Sequence, residues 1–390
     1  IRRYSRLKIC AALLLFSCFS AFAETNEIDS ALSTTQFRGE SSCSSSGCHG
    51  GAGEKHDQCI RWSKFDVHTR SYATLTLARS ARIADVLKLG DPVQSARCTV
   101  CHAPFQTIAT NDALRKSLDP TAGVSCETCH GPAKKWLLSH TREDYTHQDR
   151  VNAGMRDLNN LYVRANTCVA CHQNVDADIL QAGHPELIFE LDGQAVAEPK
   201  HWREKPGWSG SQTWFVGQAV ALREMIWQLS TEKAPSQADL EREQGLLWVV
   251  ESVGWNSNVP QLMAAPSLDF KSDKSYQQRV QSWADQMANS ATYFPCPPDA
   301  TPHSLGLLAA TAGDFRNAKV SHAIQARRAE RLVLALDRLM AGLNDDALAK
   351  GLDAPLNKLF KDAQSLPDFD SKKFADDLDA FRKALESTPK

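Results

Sequence analysis

The sequence predicts an all-α protein with an irregular N-terminal part and a C-terminal helical bundle. No stretch alternates apolar and polar residues over the length of a strand. From about residue 208 onward, apolar residues recur at the three- and four-residue spacing of helices. From about residue 40 to 201, only short helical patches such as 65–89 occur between Gly, Pro, Ser and Asp residues.

Five stretches of the second half have a helical apolar pattern. In the first of them, Trp214, Ala221, Met225 and Leu229 fall on one helix face, because residues three or four apart are neighbours on a helix. The stretches cover residues 214–229, 240–253, 275–291, 319–343 and 374–385. We therefore predict a helical domain over residues 205–390.

The first 23 residues have the pattern of a secretory signal peptide. An apolar run begins at Ile9 and ends in the small-x-small sequence 21–23, before Glu24. A lipid anchor at Cys18 is a weaker alternative, and residues 24–40 are polar enough for a disordered linker. We expect a periplasmic or secreted protein. The basic residues that precede the run are Arg2, Arg3, Arg6 and Lys8.

The charge balance excludes one class of partner. Without the signal peptide the chain keeps 40 of its 44 Lys and Arg residues, against 46 Asp and Glu residues. Such a mildly acidic protein is a poor match for nucleic acid. No later apolar run approaches the roughly 18 residues of a membrane helix. We therefore expect neither nucleic-acid binding nor a membrane span.

Eight cysteines fall into four motifs that each end in histidine. Disulfides are the default in an exported chain, but they leave the histidine after each second cysteine unexplained. Zinc knuckles leave it unexplained too, and a thioredoxin-like pair would come singly in a βαβ unit. For the first, wider motif alone, a disulfide between Cys43 and Cys59 is an alternative. The motifs are Cys43, Cys48, His49; Cys98, Cys101, His102; Cys126, Cys129, His130; and Cys168, Cys171, His172.

Three of the motifs have the Cys-x-x-Cys-His spacing of covalent haem attachment, and the first has a wider spacing that some multihaem cytochromes use for the same purpose. Two thiols add to the haem vinyl groups, and the adjacent histidine binds the iron as the proximal ligand. We therefore predict four haem c groups, with His49, His102, His130 and His172 as proximal ligands. The few apolar residues of this region could not form a core alone, so we expect an irregular, haem-organised tetrahaem domain over residues 41–204.

Other histidines are numerous enough to supply distal iron ligands. Four haems need at most four distal ligands, so two histidine ligands at every iron are feasible. Cys59 and Cys296 lie outside the motifs and either pair or remain free. Six non-motif histidines share the haem region: His56, His68, His140, His147, His184 and His201.

The order of features from Ser42 to Leu229 resembles the cytochrome c554-like family of multihaem cytochromes. The resemblance implies electron transfer, with His68, His140 and His184 as distal haem ligands. Some relatives have a further histidine where this chain has residues 176–178, so one haem either lacks a distal ligand or uses His56, His147 or His201. The matching features are residues 43–50, Trp62, His68, Tyr72, Leu75, residues 123–132, Trp136, His140, the third Cys-x-x-Cys-His motif, residues 182–187, Phe189 and Glu190.

Two functions follow as hypotheses. The first is an electron carrier that links a redox-protein donor to a redox-protein acceptor through four haems. The second is an oxidoreductase that acts on a small nitrogen or sulfur compound at a haem with an open position. Its candidate donors are Lys134, Lys135, Arg142 and Tyr145. The helical domain serves either as a scaffold or as a docking module.

Overall fold

The computed structural model describes residues 36–108, 118–231, 235–253, 274–293, 300–343, 345–364 and 368–387. The signal-peptide pattern, most of the linker and Cys296 lie outside these residues. The protein is 69% helical, and the described residues contain no strand. The predicted all-α class is confirmed.

The first half consists of short helices, because its Gly and Pro residues repeatedly interrupt the helical pattern. The stretch 65–89 divides into one 3-10 turn and two α-helices. In chain order the α-helices are α1 (Gln58–Phe65), α2 (Ser71–Thr74), α3 (Ala78–Leu87), α4 (Ala96–His102), α5 (Pro104–Ile108), α6 (Cys126–His130), α7 (His147–Asn152), α8 (Leu161–His172), α9 (Ala177–Gln181) and α10 (Leu191–Ala197).

The second half contains longer helices that pack as a bundle. The five helices that the apolar pattern predicts are present, and three further ones occur within 300–309, 312–315 and 346–363. The α-helices are α11 (Gly210–Thr231), α12 (Gln237–Val253), α13 (Lys274–Tyr293), α14 (Ala300–Ala309), α15 (Ala312–Phe315), α16 (His322–Ala341), α17 (Asp346–Ala363) and α18 (Ser371–Ser387).

The main hydrophobic core lies in this bundle and extends to α8. The centre of α11 is inaccessible to solvent, with Phe215 and Val220 fully buried, and Leu161 and Val169 of α8 join the same core. The Tyr162 hydroxyl donates to Asp285 of α13 at 2.5 Å. The bundle therefore fixes α8, which carries the fourth motif. None of the described helices is long and apolar enough to cross a membrane.

A buried carboxyl group in α12 makes the stability of the bundle depend on pH. Glu243 is fully buried, its Oε1 atom has no hydrogen-bond partner, and the Gln244 amide reaches its Oε2 atom at 3.4 Å. Burial raises the pKa of Glu243 to about 8, and Glu251 contributes in the same direction. The folded protein therefore keeps a proton that the unfolded chain releases above its ordinary pKa of 4.5.

We expect stability to fall as pH rises from about 5 to 8, because the unfolded state then binds fewer protons. Each unit of pKa shift is about 1.4 kcal/mol, so Glu243 contributes on the order of a few kcal/mol. Glu243→Gln should make the decline shallower. Thermal unfolding at pH 5, 6.5 and 8 measures this, and equal slopes for the two proteins would contradict it.

Candidate haem sites

Three of the four motifs lie on helices that present both cysteines on one side. The second, third and fourth motifs end α4, α6 and α8. Residues three apart share a helix face, so the two thiols of each motif point in a common direction, and the histidine closes the helix. In α6, Arg156 caps this end, because its guanidinium donates to the carbonyls of Thr128 at 2.6 Å and Cys129 at 2.9 Å.

The wider first motif forms a loop that is closed by the same backbone hydrogen bond as a helical Cys-x-x-Cys-His motif. In a helical Cys-x-x-Cys-His motif, the histidine N–H donates to the carbonyl four residues earlier, which belongs to the first cysteine. In the first motif, the His49 N–H donates to the Cys43 carbonyl at 3.1 Å. The two extra residues are therefore accommodated in the loop, and no disulfide joins Cys43 to Cys59.

Each motif histidine faces one histidine from elsewhere in the chain. The distances between ring centroids run from 5.8 to 6.3 Å. We number these sites by motif order. Site 1 pairs His49 with His140 at 6.2 Å, site 2 pairs His102 with His184 at 6.3 Å, site 3 pairs His130 with His201 at 6.3 Å, and site 4 pairs His172 with His68 at 5.8 Å.

These spacings fit one metal ion between each pair. A metal–imidazole bond is about 2 Å long and the ring nitrogen lies about 1.1 Å from the ring centre, so two opposed ligands have centroids about 6 Å apart. Direct stacking of aromatic rings would not require such a spacing at four separate places. The residues present therefore fit a haem iron held by two histidines at each site.

The remaining histidines of this region are engaged elsewhere. His56 is exposed, and its Nδ1 atom lies 2.7 Å from the Cys48 carbonyl. His147 is exposed and pairs with Asp157 at 3.0 Å. Neither faces a motif histidine, whereas His201 does. Asp176 and Asp178, which stand where some relatives have a histidine, form ion pairs with Arg97.

Burial keeps several of the facing histidines neutral, as metal ligation requires. It lowers the pKa of His130 to about 4, with contributions from the nearby His201 and His49. Burial likewise lowers the pKa values of His102, His172 and His201. His68 is the exception, since hydrogen bonds to Asp66 and Glu198 raise its pKa to about 10.

Specific contacts position His201 and His68, two of the histidines that face a motif histidine. Arg164 of α8 forms a two-pronged ion pair with Glu204, at 3.0 Å for each prong, and this anchors the segment that carries His201. Gly123 has φ +69°, and a Cβ atom there would lie 2.7 Å from the His68 carbonyl oxygen. Only glycine therefore allows the chain to pass this close to His68.

Contacts between motifs indicate that the sites form a row. The Cys43 thiol of site 1 lies beside the Cys126 thiol of site 3, and the Cys101 thiol of site 2 lies beside the Cys171 thiol of site 4. Burial is the main cause that raises the pKa of Cys168 of site 4 to about 12, and the proximity of Cys129 of site 3 adds to it. The order of neighbours is therefore site 1, site 3, site 4 and site 2.

Exposed large apolar side chains are concentrated in the half of the chain that contains these sites. Seven of the large apolar residues with high exposure lie in the first half, where a bulky apolar group would cover them. Val67 precedes His68, Val100 lies inside the second motif and Leu138 lies two residues before His140, so these three are placed to contact a haem ring. The seven residues are Phe65, Val67, Leu77, Val86, Val100, Leu138 and Val196.

The fold and these sites define an all-α protein with the attachment pattern of a c-type cytochrome. Residues 27–131 match the family described as cytochrome c554 and c-prime. This part of the chain is therefore similar to a cytochrome c554-like family. It covers the first three motifs and ends before the fourth. No curated protein and no solved structure matches the chain.

Proposed function

We propose that this protein is a tetrahaem electron carrier with two histidine ligands at every iron. The observation that supports this most directly is the set of four facing histidine pairs, each of which includes one motif histidine. Eight motif cysteines attach the haems, and the distal ligands are His140, His184, His201 and His68 at sites 1 to 4. Haem iron supplies reversible one-electron chemistry when it is bound.

The facing pairs favour the carrier over the oxidoreductase. An enzyme of the second kind needs an iron with an open position and donors that face it. Each of the four motif histidines instead has a second histidine opposite it, and three of the four candidate donors are exposed side chains. Arg142 is bound to Asp144 in an exposed ion pair, and Lys134 and Lys135 are exposed. Redox proteins are the partners that fit such a carrier.

The chain's organisation supports export and different roles for its two halves. The pattern of residues 1–23 and the thiol-attached haems are both typical of proteins that act outside the cytoplasm. We propose that residues 41–204 carry the haems and that residues 205–390 support them, because α8 of the haem region shares the core of the bundle.

Haem stoichiometry tests the proposal. Intact mass and iron content of the mature protein should correspond to four covalent haems, and Cys48→Ser should remove one of them. Cys59→Ser is the matched control, because Cys59 lies close to Cys43 but outside the motif, and it should keep four. Three haems in the unchanged protein, with Cys43 and Cys48 as free thiols or in a disulfide, would contradict the proposal for site 1.

A second test separates carrier from enzyme. Small redox mediators should reduce and reoxidise the purified protein rapidly, because neither process needs an open iron. Nitrite, hydroxylamine and sulfite should not be turned over. Steady turnover of any of them by homogeneous protein, at the 1 s⁻¹ or more that is roughly typical of enzymes, would favour the oxidoreductase.

A further inference from the structure

Two carboxylates meet at a single nitrogen of one haem-site histidine. The Nδ1 atom of His68 lies 2.9 Å from Oδ1 of Asp66 and 3.0 Å from Oε1 of Glu198. Asp66 is only 5% exposed, and it also accepts the His68 backbone N–H at 2.8 Å. Because Nδ1 makes both contacts, Nε2 is the nitrogen that remains for the iron of site 4.

The distal histidines of the other sites lack such partners. Nδ1 of His140 lies 3.2 Å from the Trp136 carbonyl, and Nδ1 of His184 lies 2.8 Å from the Pro185 carbonyl. Nδ1 of His201 is buried without a partner. Among the described residues, His68 is the only facing histidine with a carboxylate at its ring.

Three of the motif histidines have neutral partners at Nδ1 as well. Nδ1 of His49 lies 2.9 Å from the Gln58 amide oxygen, and Nδ1 of His102 lies 2.9 Å from the Thr74 hydroxyl. Nδ1 of His172 lies 3.4 Å from the Gln194 amide. Site 4 therefore differs from the other three through the charge of its hydrogen-bond partners and not through the type of its ligands.

A carboxylate that accepts the Nδ1–H of a ligating histidine increases the basicity of the other ring nitrogen. A more basic ligand and a nearby negative charge both stabilise the more positively charged, oxidised state of a metal centre. Hydrogen bonding and burial are among the means by which a protein sets the potential of a haem. Two carboxylates at one histidine should therefore have a large effect on site 4.

We infer that Asp66 and Glu198 act on His68 to make site 4 the haem site of lowest reduction potential. This inference rests on the proposed function, because it requires a haem at site 4 with His68 as a ligand. Site 4 lies in the interior of the row, between sites 3 and 2. The carboxylates would thus set an energy barrier between the two ends of the carrier, and electrons would occupy the sites on either side first.

Potentiometric titration of the full haem-loaded protein at one neutral pH tests the inference. Glu198→Gln and Asp66→Asn should each raise the lowest of the four one-electron steps by more than any other step, with a smaller rise at the neighbouring site 3, whose His201 is also close to both carboxylates. At the original midpoint of the lowest step, the ratio of reduced to oxidised haem should rise about tenfold, which is about 59 mV for one electron. Asp157→Asn is the matched control, since Asp157 pairs with His147 and should change no step.

The two variants have different structural risks. Asp66 also caps the 3-10 turn Val67–Arg70, so Asp66→Asn tests the cap as well as the charge. The contacts of the Glu198 side chain are with His68 and Asp66, so Glu198→Gln decides the matter if Asp66→Asn fails to fold. A lowest step that stays unchanged in Glu198→Gln would overturn the inference, and so would an equal rise of all four steps.

Failure of the proposed function would be visible separately. A spectrum of His68→Ala that stays fully low-spin, or fewer than four haems in the unchanged protein, would show that His68 is not a ligand or that a site lacks its haem. If the protein carries four low-spin haems but Glu198→Gln does not change the lowest step, the carrier function would still stand. Only the proposed role of the two carboxylates would then be wrong.

Discussion

Replacing His184 with alanine is expected to convert one of four haems to a high-spin or exogenously ligated form. His184 faces His102 of site 2 at 6.3 Å between ring centroids, and no other histidine of the described residues faces that ring. Gly183 has φ +110° and Pro185 restricts the backbone of His184 before it, so the imidazole has a defined direction. The ferric absorption and EPR spectra measure the change.

Two further variants sharpen this prediction. His184→Met should keep site 2 low-spin and raise its potential, because a methionine ligand favours the reduced iron. His147→Ala is the matched control, since His147 is an exposed histidine of the same region that faces no motif histidine. If His184→Ala leaves the ferric spectrum fully low-spin and the redox titration unchanged, His184 is an ordinary turn residue.

At each site, local spacing in the sequence predicts the motif histidine. The histidine that faces it is determined by three-dimensional packing. A motif such as Cys98 to His102 carries its chemistry within five residues of chain, so the sequence alone indicates it. The sequence offers His56 and His201 as equal candidates. They differ in the structure because His56 bonds to a carbonyl of its own loop, whereas the ion pair between Arg164 and Glu204 holds the segment of His201 against α8.

Some helices of the fold can likewise be predicted from the sequence, and others cannot. Helix α16 is among the predicted helices, whereas α17, which contains Pro355 and Gly351, is not. Proline inside a helix removes one hydrogen bond, and here Leu352 and Leu359 compensate through full burial against the bundle. The carboxylates Asp66 and Glu198 gave no sequence signal at all, because neither is part of a motif and they meet only in the folded protein.

Replacing Glu127 with leucine is expected to destabilise the N-terminal haem region by about 3 kcal/mol or more, since each buried N–H left without a partner costs about 1–3 kcal/mol. Glu127 occupies one of the variable positions of the third motif and is 2% exposed. It accepts the backbone N–H groups of Arg38 at 2.9 Å, Gly39 at 2.7 Å and Ala133 at 2.6 Å. Thermal unfolding of the haem-loaded protein measures the loss.

The effect should reach site 1, because Glu127 ties the segment that leads into Cys43 to α6. Glu127→Leu should therefore increase proteolytic cleavage before Cys43 and lower the fraction of protein that carries the haem of site 1, whereas Glu127→Gln keeps one acceptor oxygen and should lose less. Glu54→Leu is the matched control, because Glu54 is exposed and forms only a surface ion pair with Arg203. If Glu127→Leu unfolds at the temperature of the unchanged protein, these hydrogen bonds do not hold the first haem site in place.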